Sequence, residues 1–235
     1  GIPNLSPELF EWEYTTENVS MMPAIINTLI ITALSLLFAL PVGICSAIYL
    51  VEYAKRGNKL VSIVRITTET LSGIPSIVYG LFGYLFFNIF LEWSYTILGG
   101  ALTLAIMILP TVINISESAL RAVPSQYKSA SLALGASKIQ TIFRVMLPAA
   151  KSGIITAVVL GVGRAIGEAM AITLVSGSSV NFPLPFHSVR FLTTAIVSEM
   201  GYASGLHREV LFTIGLVLFA FIMLINTCLT KLLKS

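Results

Sequence analysis

The feature that most constrains this chain is a series of long apolar runs with very few charges. A helix that crosses a bilayer needs about 20 predominantly apolar residues. Five runs reach that length, and their expected limits are residues 24–51, 65–91, 93–118, 150–176 and 209–231. Only 11% of the residues are charged and 56% are hydrophobic, whereas a soluble domain carries about 25% charge. We therefore predict an all-α polytopic membrane protein with a single transmembrane domain over residues 1–235.

The basic residues fall mainly on one side of the predicted membrane. Alternate crossing groups the loop after the first span with the loop 119–149 and the C-terminal lysines, which together hold most of the Lys and Arg. This side should be cytoplasmic, in a bacterial or archaeal plasma membrane, and residues 1–22 and 177–208 should lie outside. Five spans with an external N-terminus indicate that a first span is missing from a six-span protein. A complete five-span protein is the alternative.

Two charged residues lie inside the fourth predicted span. Arg164 is about 20 Å along a helix that starts at Lys151, well inside a hydrocarbon core about 30 Å thick. A charge there costs about 2.5–3.5 kcal/mol on insertion scales, and the i, i+4 spacing predicts that Glu168 pairs with it. The two residues form either a structural ion pair or the polar lining of an ion path. Arginine also suits an anion such as phosphate.

Proline and glycine mark further features of the second and fourth spans. Pro75 removes a helix hydrogen bond, and Ser72 and Ser76 can satisfy the backbone groups that it sets free. Such a break either lines a pathway or is a simple proline kink. In the fourth span, the spacing of Gly163 and Gly167 predicts the close approach of another helix.

Two charged pairs lie near the predicted cytoplasmic edge. Arg65 and Glu69 are four residues apart, as are Glu117 and Arg121. The spacing predicts that each pair forms along its own helix. We expect these pairs to anchor helix ends, and a part in an inner gate is the alternative.

The external segment 177–208 joins the last two spans. Its first part is rich in turn residues, and residues 188–200 have the periodicity of a short amphipathic helix. This helix is either an ordinary connection or part of an external gate or docking surface. His187 and His207 have no second ligand at metal spacing, so we expect both to be solvated and predict no metal site.

The basic stretch 120–151 separates the third span from the fourth. It contains five Lys or Arg residues and no acid. Pro124 and Pro148 mark its ends, and Gly135 can break the helical run between them, which predicts a helix–Gly–helix hairpin. The chain has no recognisable nucleotide loop or catalytic motif. We therefore expect no enzymatic activity and no cofactor in this chain, and a separate partner on the hairpin.

This hairpin resembles the cytoplasmic "EAA" loop of ATP-binding-cassette (ABC) importer permeases. The pattern E-A-A-x3-G-x9-I-x-L-P falls on Ser129-Ala130-Ser131, Gly135 and Val145-Met146-Leu147-Pro148. Ser129 replaces the glutamate of the pattern, Ser131 the second alanine and Val145 the isoleucine. The resemblance implies that the loop 119–149 couples this chain to an ATPase through Ser129, Ala130, Gly135, Ala136, Leu147 and Pro148.

Four other segments resemble the phosphate-specific (Pst) permeases, and together they extend the resemblance over nearly the whole chain. They are AIYLVEY at 47–53, GIPSIVYG at 73–80, GRAIGEAM at 163–170 and MGYASG at 200–205. The Gly-Arg-x-x-Gly-Glu run is the most specific of them. The front half is more similar to the PstA than to the PstC branch, and Pst permeases have six spans, which agrees with a missing first helix.

The resemblance implies a type I ABC importer (MetI-like) permease fold, with five transmembrane helices here and cytoplasmic coupling helices. It further implies a second, PstC-like permease, an ATPase dimer that binds ATP and Mg²⁺, and an extracytoplasmic phosphate-binding protein as partners, and no nucleic acid. Arg164, Glu168, Ser72 and Ser76 are the expected substrate-pathway residues. The alternatives are a permease of this fold for another oxyanion or small nutrient, or an ATP-independent anion channel or carrier.

Overall fold

The computed structural model describes residues 20–54, 58–179, 184 and 186–234 of the chain, and these residues are almost entirely helical, which confirms the all-α class. Residues 1–19 of the predicted external segment 1–22, and residues 180–183 and 185 of the turn-rich part of 177–208, lie outside these ranges. The helices are α1 Met22–Ile48, α2 Lys59–Ser72, α3 Ser76–Gly83, α4 Ile97–Arg121, α5 Ser125–Ala133, α6 Lys138–Thr141, α7 Leu147–Ala149, α8 Lys151–Gly167, α9 Met170–Ser176, α10 Leu192–Glu199 and α11 Gly205–Lys234. Wider π-helical turns follow α1 at Tyr49–Tyr53, α3 at Tyr84–Phe90 and α6 at Ile142–Met146.

The core lies where α1, α4 and α8 pack together, with α4 at the centre. Leu104, Ile108 and Val112 of α4 are fully buried. The backbones of α1 and α4 come so close at Gly43 that a Cβ there would lie 2.6 Å from Val112 Cγ1. Glycine is therefore required at this crossing, because any larger residue would separate the two central helices.

Three helices in the described part of the chain are long and apolar enough to cross a membrane, namely Met22–Tyr53, Ile97–Arg121 and His207–Lys231. The other two predicted spans are broken. Val61–Ser72 and Ser76–Phe90 meet at 106°, as the proline at position 75 predicts. The interruption between α8 and α9 at Glu168 and Ala169 was not predicted. The limits of the spans in a bilayer stay predictions.

The break between α2 and α3 is stabilised by a side chain that sequence reasoning missed. The Tyr79 hydroxyl donates a hydrogen bond to the Leu71 carbonyl oxygen at 2.7 Å, so a group freed by Pro75 has a partner. Ser72 was expected in that role, but its hydroxyl donates to the Glu69 carbonyl oxygen inside its own helix. The fixed angle of this break thus depends on tertiary contacts made by α3.

The glycines that allow close packing are also not those expected. A Cβ built at Gly163 or Gly167 has no described atom of this chain within 4 Å, so no described helix packs closely against either glycine and their packing role stays a prediction. At Gly80 of α3, by contrast, a Cβ would lie 2.6 Å from Ala171 Cα of α9. The two short, broken helices therefore pack backbone to backbone through Gly80.

We predict that Gly80→Ala destabilises the protein because it forces α3 away from α9. Overpacking of this kind costs about 1–3 kcal/mol, which should lower the thermal midpoint of the purified protein in detergent by several degrees. Gly73→Ala is the matched control, since a Cβ there meets only the Thr70 carbonyl oxygen at 3.6 Å. Equal midpoints for the two variants would contradict the packing role of Gly80.

Candidate functional site

The basic stretch folds as the helix–Gly–helix hairpin that the sequence predicts. Its first arm, α5, ends two residues before Gly135, which has a positive φ of 85°. The Gly135 N–H donates to the Leu132 carbonyl oxygen at 3.0 Å and the Ala136 N–H donates to that of Ser131 at 3.2 Å. These two bonds form a Schellman cap, which a residue in the left-handed region makes possible. Gly135 and Ala136 thus fix where the first arm ends.

The second arm begins immediately after this cap. The Gln140 N–H donates to the Ser137 hydroxyl, and the Ser137 N–H donates to the Gln140 side-chain oxygen, so a capping box starts α6. The hydroxyls of Ser131 and Thr141 lie 3.0 Å apart and join the two arms. The hairpin, which we define as residues 125–146, is therefore a preformed unit and not a flexible loop.

The hairpin exposes apolar side chains. Leu134 at its tip is 89% exposed, and Ile139 and Phe143 on the second arm are each 62% exposed. Of the predicted coupling residues, Ser129, Ala130, Gly135 and Pro148 are exposed, and Ala136 and Leu147 are half-buried. An apolar tip on an otherwise polar loop is typical of a protein interaction site.

Polar contacts hold the hairpin to the end of α1. The Glu52 carboxylate accepts from Lys128 Nζ of the first arm at 2.5 Å. Lys138 Nζ of the second arm donates to the Glu52 carbonyl oxygen at 2.6 Å and lies 4.0 Å from the centroid of the Tyr53 ring. Sequence reasoning missed these contacts, because no periodicity relates residues 76 positions apart.

The predicted ion pair of Arg164 with Glu168 does not form. Helix α8 ends at Gly167, and Glu168 is extended with φ −78° and ψ 131°, so the i, i+4 geometry of a continuous helix is lost. The Glu168 carboxylate instead accepts from the Ala171 N–H at 3.0 Å. A carboxylate at this position satisfies a free N–H and favours the helix dipole at the start of α9.

Arg164 is consequently a half-buried cation without a carboxylate partner among the described residues. Its guanidinium donates one long hydrogen bond, 3.3 Å, to the Thr111 hydroxyl of α4. A guanidinium has five N–H donors in a planar fork. Most of them remain available here for an anion.

A second charged cluster lies near the end of α4 that leads into the hairpin. Glu117 of α4 accepts from Arg65 of α2 at 2.7 Å and from Arg121 at 2.9 Å. The predicted Glu117–Arg121 pair is thus confirmed, and the predicted Arg65–Glu69 pair is wrong because Arg65 reaches across to α4. Arg65, Glu69 and Arg121 also line an open cavity of about 900 Å³ together with the end of α1.

On the opposite side, α10 closes over the break between α8 and α9. The Thr193 hydroxyl donates to the Glu168 carbonyl oxygen at 2.8 Å. Glu199 of α10 pairs with the largely buried Arg190 and, at 2.9 Å, with His207. The predicted short helix therefore exists. The side chain of His207 is partly solvated, with 37% of its surface exposed, and it also binds the carboxylate of Glu199, which was not expected.

Comparisons with known proteins agree on a family. The sequence model described as "Binding-protein-dependent transport system inner membrane component" matches residues 39–234. The chain is 38% identical to the Bacillus subtilis "Probable ABC transporter permease protein YqgH", covering 88% of this chain and 70% of that one. It is 32% identical to the "Phosphate transport system permease protein PstC" of Pasteurella multocida, covering 89% and 73%. For the "Phosphate transport system permease protein PstA 2" of Mycobacterium bovis, identity is 30%, covering 96% and 77%.

A solved structure gives the fold. A chain of the MetNI methionine ABC transporter in an inward-facing conformation superimposes with a TM-score of 0.78 at 20% sequence identity, covering 94% of this chain and 98% of that one. This likeness confirms the type I ABC importer permease fold that the sequence predicts.

We predict that the hairpin depends on the left-handed conformation at Gly135. Gly135→Val should cost roughly 1–2 kcal/mol, the penalty for a branched side chain with positive φ, and should speed hydrogen exchange of the amides in residues 125–141. Gly135→Asn is the matched control, because asparagine tolerates this region of φ and ψ. The prediction fails if the valine variant is as well protected as the asparagine variant.

Proposed function

Since the chain belongs to the family of binding-protein-dependent transport system inner membrane components, which are transport components and not enzymes, we propose that it is a permease subunit of an ATP-driven inorganic phosphate importer. The phosphate proposal depends on one observation: Arg164 is a half-buried cation beside a helix break, and most of its N–H donors have no acceptor among the described residues. Relatives named as phosphate transport permeases support it. PstC and PstA relatives align at 32% and 30% identity, so identity does not separate the two subunit types.

The chemistry of Arg164 fits transient binding of an oxyanion. A guanidinium can hold two phosphate oxygens at once, and loss of the hydration shell of a dianion needs such compensation. Because Glu168 is engaged at the start of α9, it does not neutralise Arg164. Its negative charge still lies close along the chain and would keep phosphate from binding too tightly, as release on the far side requires.

The α8–α9 break directly follows the helical turn that holds Arg164, and in this proposal that break and the α2–α3 break form walls of the pathway. Tyr79, which binds the Leu71 carbonyl oxygen at the α2–α3 break near Ser72 and Ser76, lies in the same buried cluster as Ala165, the residue after Arg164. Thr193 links the α8–α9 break to α10. Broken helices at membrane depth are tolerated where they line a cavity, and small rigid-body shifts at such breaks can alternate access.

The hairpin is the proposed site of ATPase binding. Its exposed apolar tip and its preformed arms suit insertion into a groove of a partner. In this proposal, an ATPase dimer binds ATP and Mg²⁺ and moves the hairpin on the cytoplasmic side of the plasma membrane, where the C-terminus also lies. A second, PstC-like permease completes the pathway, and an extracytoplasmic binding protein delivers phosphate near α10.

We predict that Arg164→Gln impairs phosphate transport. Loss of charge-assisted hydrogen bonds worth about 1.5–3 kcal/mol should lower uptake roughly 10- to 100-fold. Uptake of labelled phosphate by proteoliposomes that contain the whole complex measures this. Lys151→Gln, on the exposed first turn of the same helix, is the control.

Unchanged uptake by the Arg164→Gln variant at equal protein level would exclude the pathway role. Stimulation of ATP hydrolysis by a binding protein loaded with molybdate, and not by one loaded with phosphate, would favour a permease of the same fold for another oxyanion. Anion flux through the purified chain alone would favour a channel or carrier.

We predict that Leu134→Glu disrupts ATPase binding. A charge at a buried interface position costs about 2 kcal/mol or more, which corresponds to roughly 30-fold in affinity. Co-purification of the ATPase with the tagged permease is the measurement. Leu184→Glu, at an exposed leucine between α9 and α10, is the control, and ATPase recovery at wild-type level with Leu134→Glu would contradict the docking role of the hairpin tip.

A further inference from the structure

Glu52, at the end of α1, has a role that follows from its contacts. We propose that Glu52 is the positioning residue that makes the hairpin and α1 move as one body, so that α1 carries the movement of the hairpin to the external helix α10. This inference rests on the proposed function only in taking the hairpin as the site that the ATPase moves. It does not depend on which solute is carried.

The carboxylate of Glu52 is buried and paired. Its side chain is only 3% exposed, and Lys128 lies 2.5 Å away. A buried carboxylate that loses its partner is strongly unfavourable, so the pair resists separation of α5 from α1. An exposed pair would not have this property, because solvent would replace the partner at little cost.

The second arm is held at the same point. Lys138 donates to the Glu52 carbonyl oxygen and lies over the Tyr53 ring, and this contact needs the backbone of Glu52 but not its side chain. Because both arms of the hairpin bind one π-helical turn, Tyr49–Tyr53, a tilt of the hairpin must tilt the end of α1.

The base of the hairpin adds an apolar contact. Ala47 of α1, Leu120 of α4, Met146 and Ala150 are buried in one cluster. This cluster includes residues of both α1 and α4, so it does not distinguish which of the two helices follows the hairpin. The polar contacts of Lys128 and Lys138 are made with Glu52 and Tyr53, in the π-helical turn that continues α1. These contacts therefore favour movement of α1 together with the hairpin.

The other end of α1 reaches the external segment. The Asn27 side-chain amide donates to the Arg190 carbonyl oxygen at 3.0 Å, and the Leu192 N–H donates to the Thr28 hydroxyl at 3.3 Å. Helix α1 has 27 residues, or about 40 Å at 1.5 Å per residue. It therefore joins the hairpin to the start of α10, whose Thr193 binds the α8–α9 break.

The first experiment separates coupling from folding. In the reconstituted complex, Glu52→Gln should leave the yield of the ATPase and its basal hydrolysis unchanged, and should reduce stimulation by the phosphate-loaded binding protein at least about fivefold, the lower end of typical coupling factors. Glu52→Asp keeps the charge and should retain most of the stimulation. Glu92→Gln, a change at an exposed glutamate before α4, is the matched control.

The double variant Glu52→Gln/Lys128→Gln tests whether the effect of Glu52→Gln comes from loss of the link to the hairpin or only from the unpaired charge left on Lys128. If the pair transmits movement, the double variant stays as poorly stimulated as Glu52→Gln. Full recovery of stimulation in the double variant, or normal stimulation of Glu52→Gln itself, would overturn the proposal.

The second experiment does not involve a solute. Cys45 and Cys228 are replaced by Ser, and spin labels are attached at two exposed positions. One is Tyr49, the first residue of the π-helical turn that continues α1, and the other is Gln126 of the hairpin. The label separation in the wild-type background should stay constant between the nucleotide-free and the vanadate-trapped complex, and in Glu52→Gln it should change between these states. A change of one helical turn, about 5 Å, in the wild-type background would overturn the proposal. A constant separation in a complex that phosphate does not stimulate would leave the proposal intact and count only against phosphate as the solute.

Discussion

The structure depends on the need to satisfy every backbone N–H and C=O group where water is absent. Continuous helices meet most of this need by themselves, and α1, α4 and α11 are of that kind, although Pro41 in α1 and Pro110 in α4 each remove one helical hydrogen bond. The two broken spans meet it only with help from other elements. Tyr79 binds a carbonyl oxygen at the first break, and Glu168 and Thr193 bind backbone groups at the second. Each break is thus held in place by tertiary contacts and has a defined geometry.

The hydrogen bonds that satisfy the backbone at the second break also determine which charged side chain lacks an ion-pair partner. Glu168 lies in the break and binds the start of α9, so Arg164 on the last turn of α8 keeps no carboxylate partner among the described residues. The glutamate that would neutralise Arg164 on a continuous helix instead stabilises the interruption of that helix. The proposed anion site is therefore a consequence of the way the second break is capped.

The hairpin end of the bundle is also held by a small number of specific contacts. The hairpin is rigid because glycine, serine and glutamine caps end and begin its arms at fixed residues. It exposes apolar side chains outward and binds α1 inward through Glu52. A rigid hairpin that is bound to the end of a long helix can transmit a displacement to that helix, whereas a flexible loop would absorb the displacement.

The sequence alone predicted the all-α membrane class, the hairpin with its glycine, the break at Pro75 and a short helix at the position of α10, because hydrophobic length, proline and glycine act locally along the chain. It also singled out Arg164. The sequence predicted the Glu117–Arg121 pair within α4, but the pairs between different elements became visible only in the folded chain, where Arg65 binds Glu117, Lys128 binds Glu52 and His207 binds Glu199. The tertiary structure likewise showed that Gly80, and not Gly163 or Gly167, allows close packing within the described chain. Pairing and packing depend on distances between helices, and spacing along one helix cannot supply those distances once that helix is interrupted.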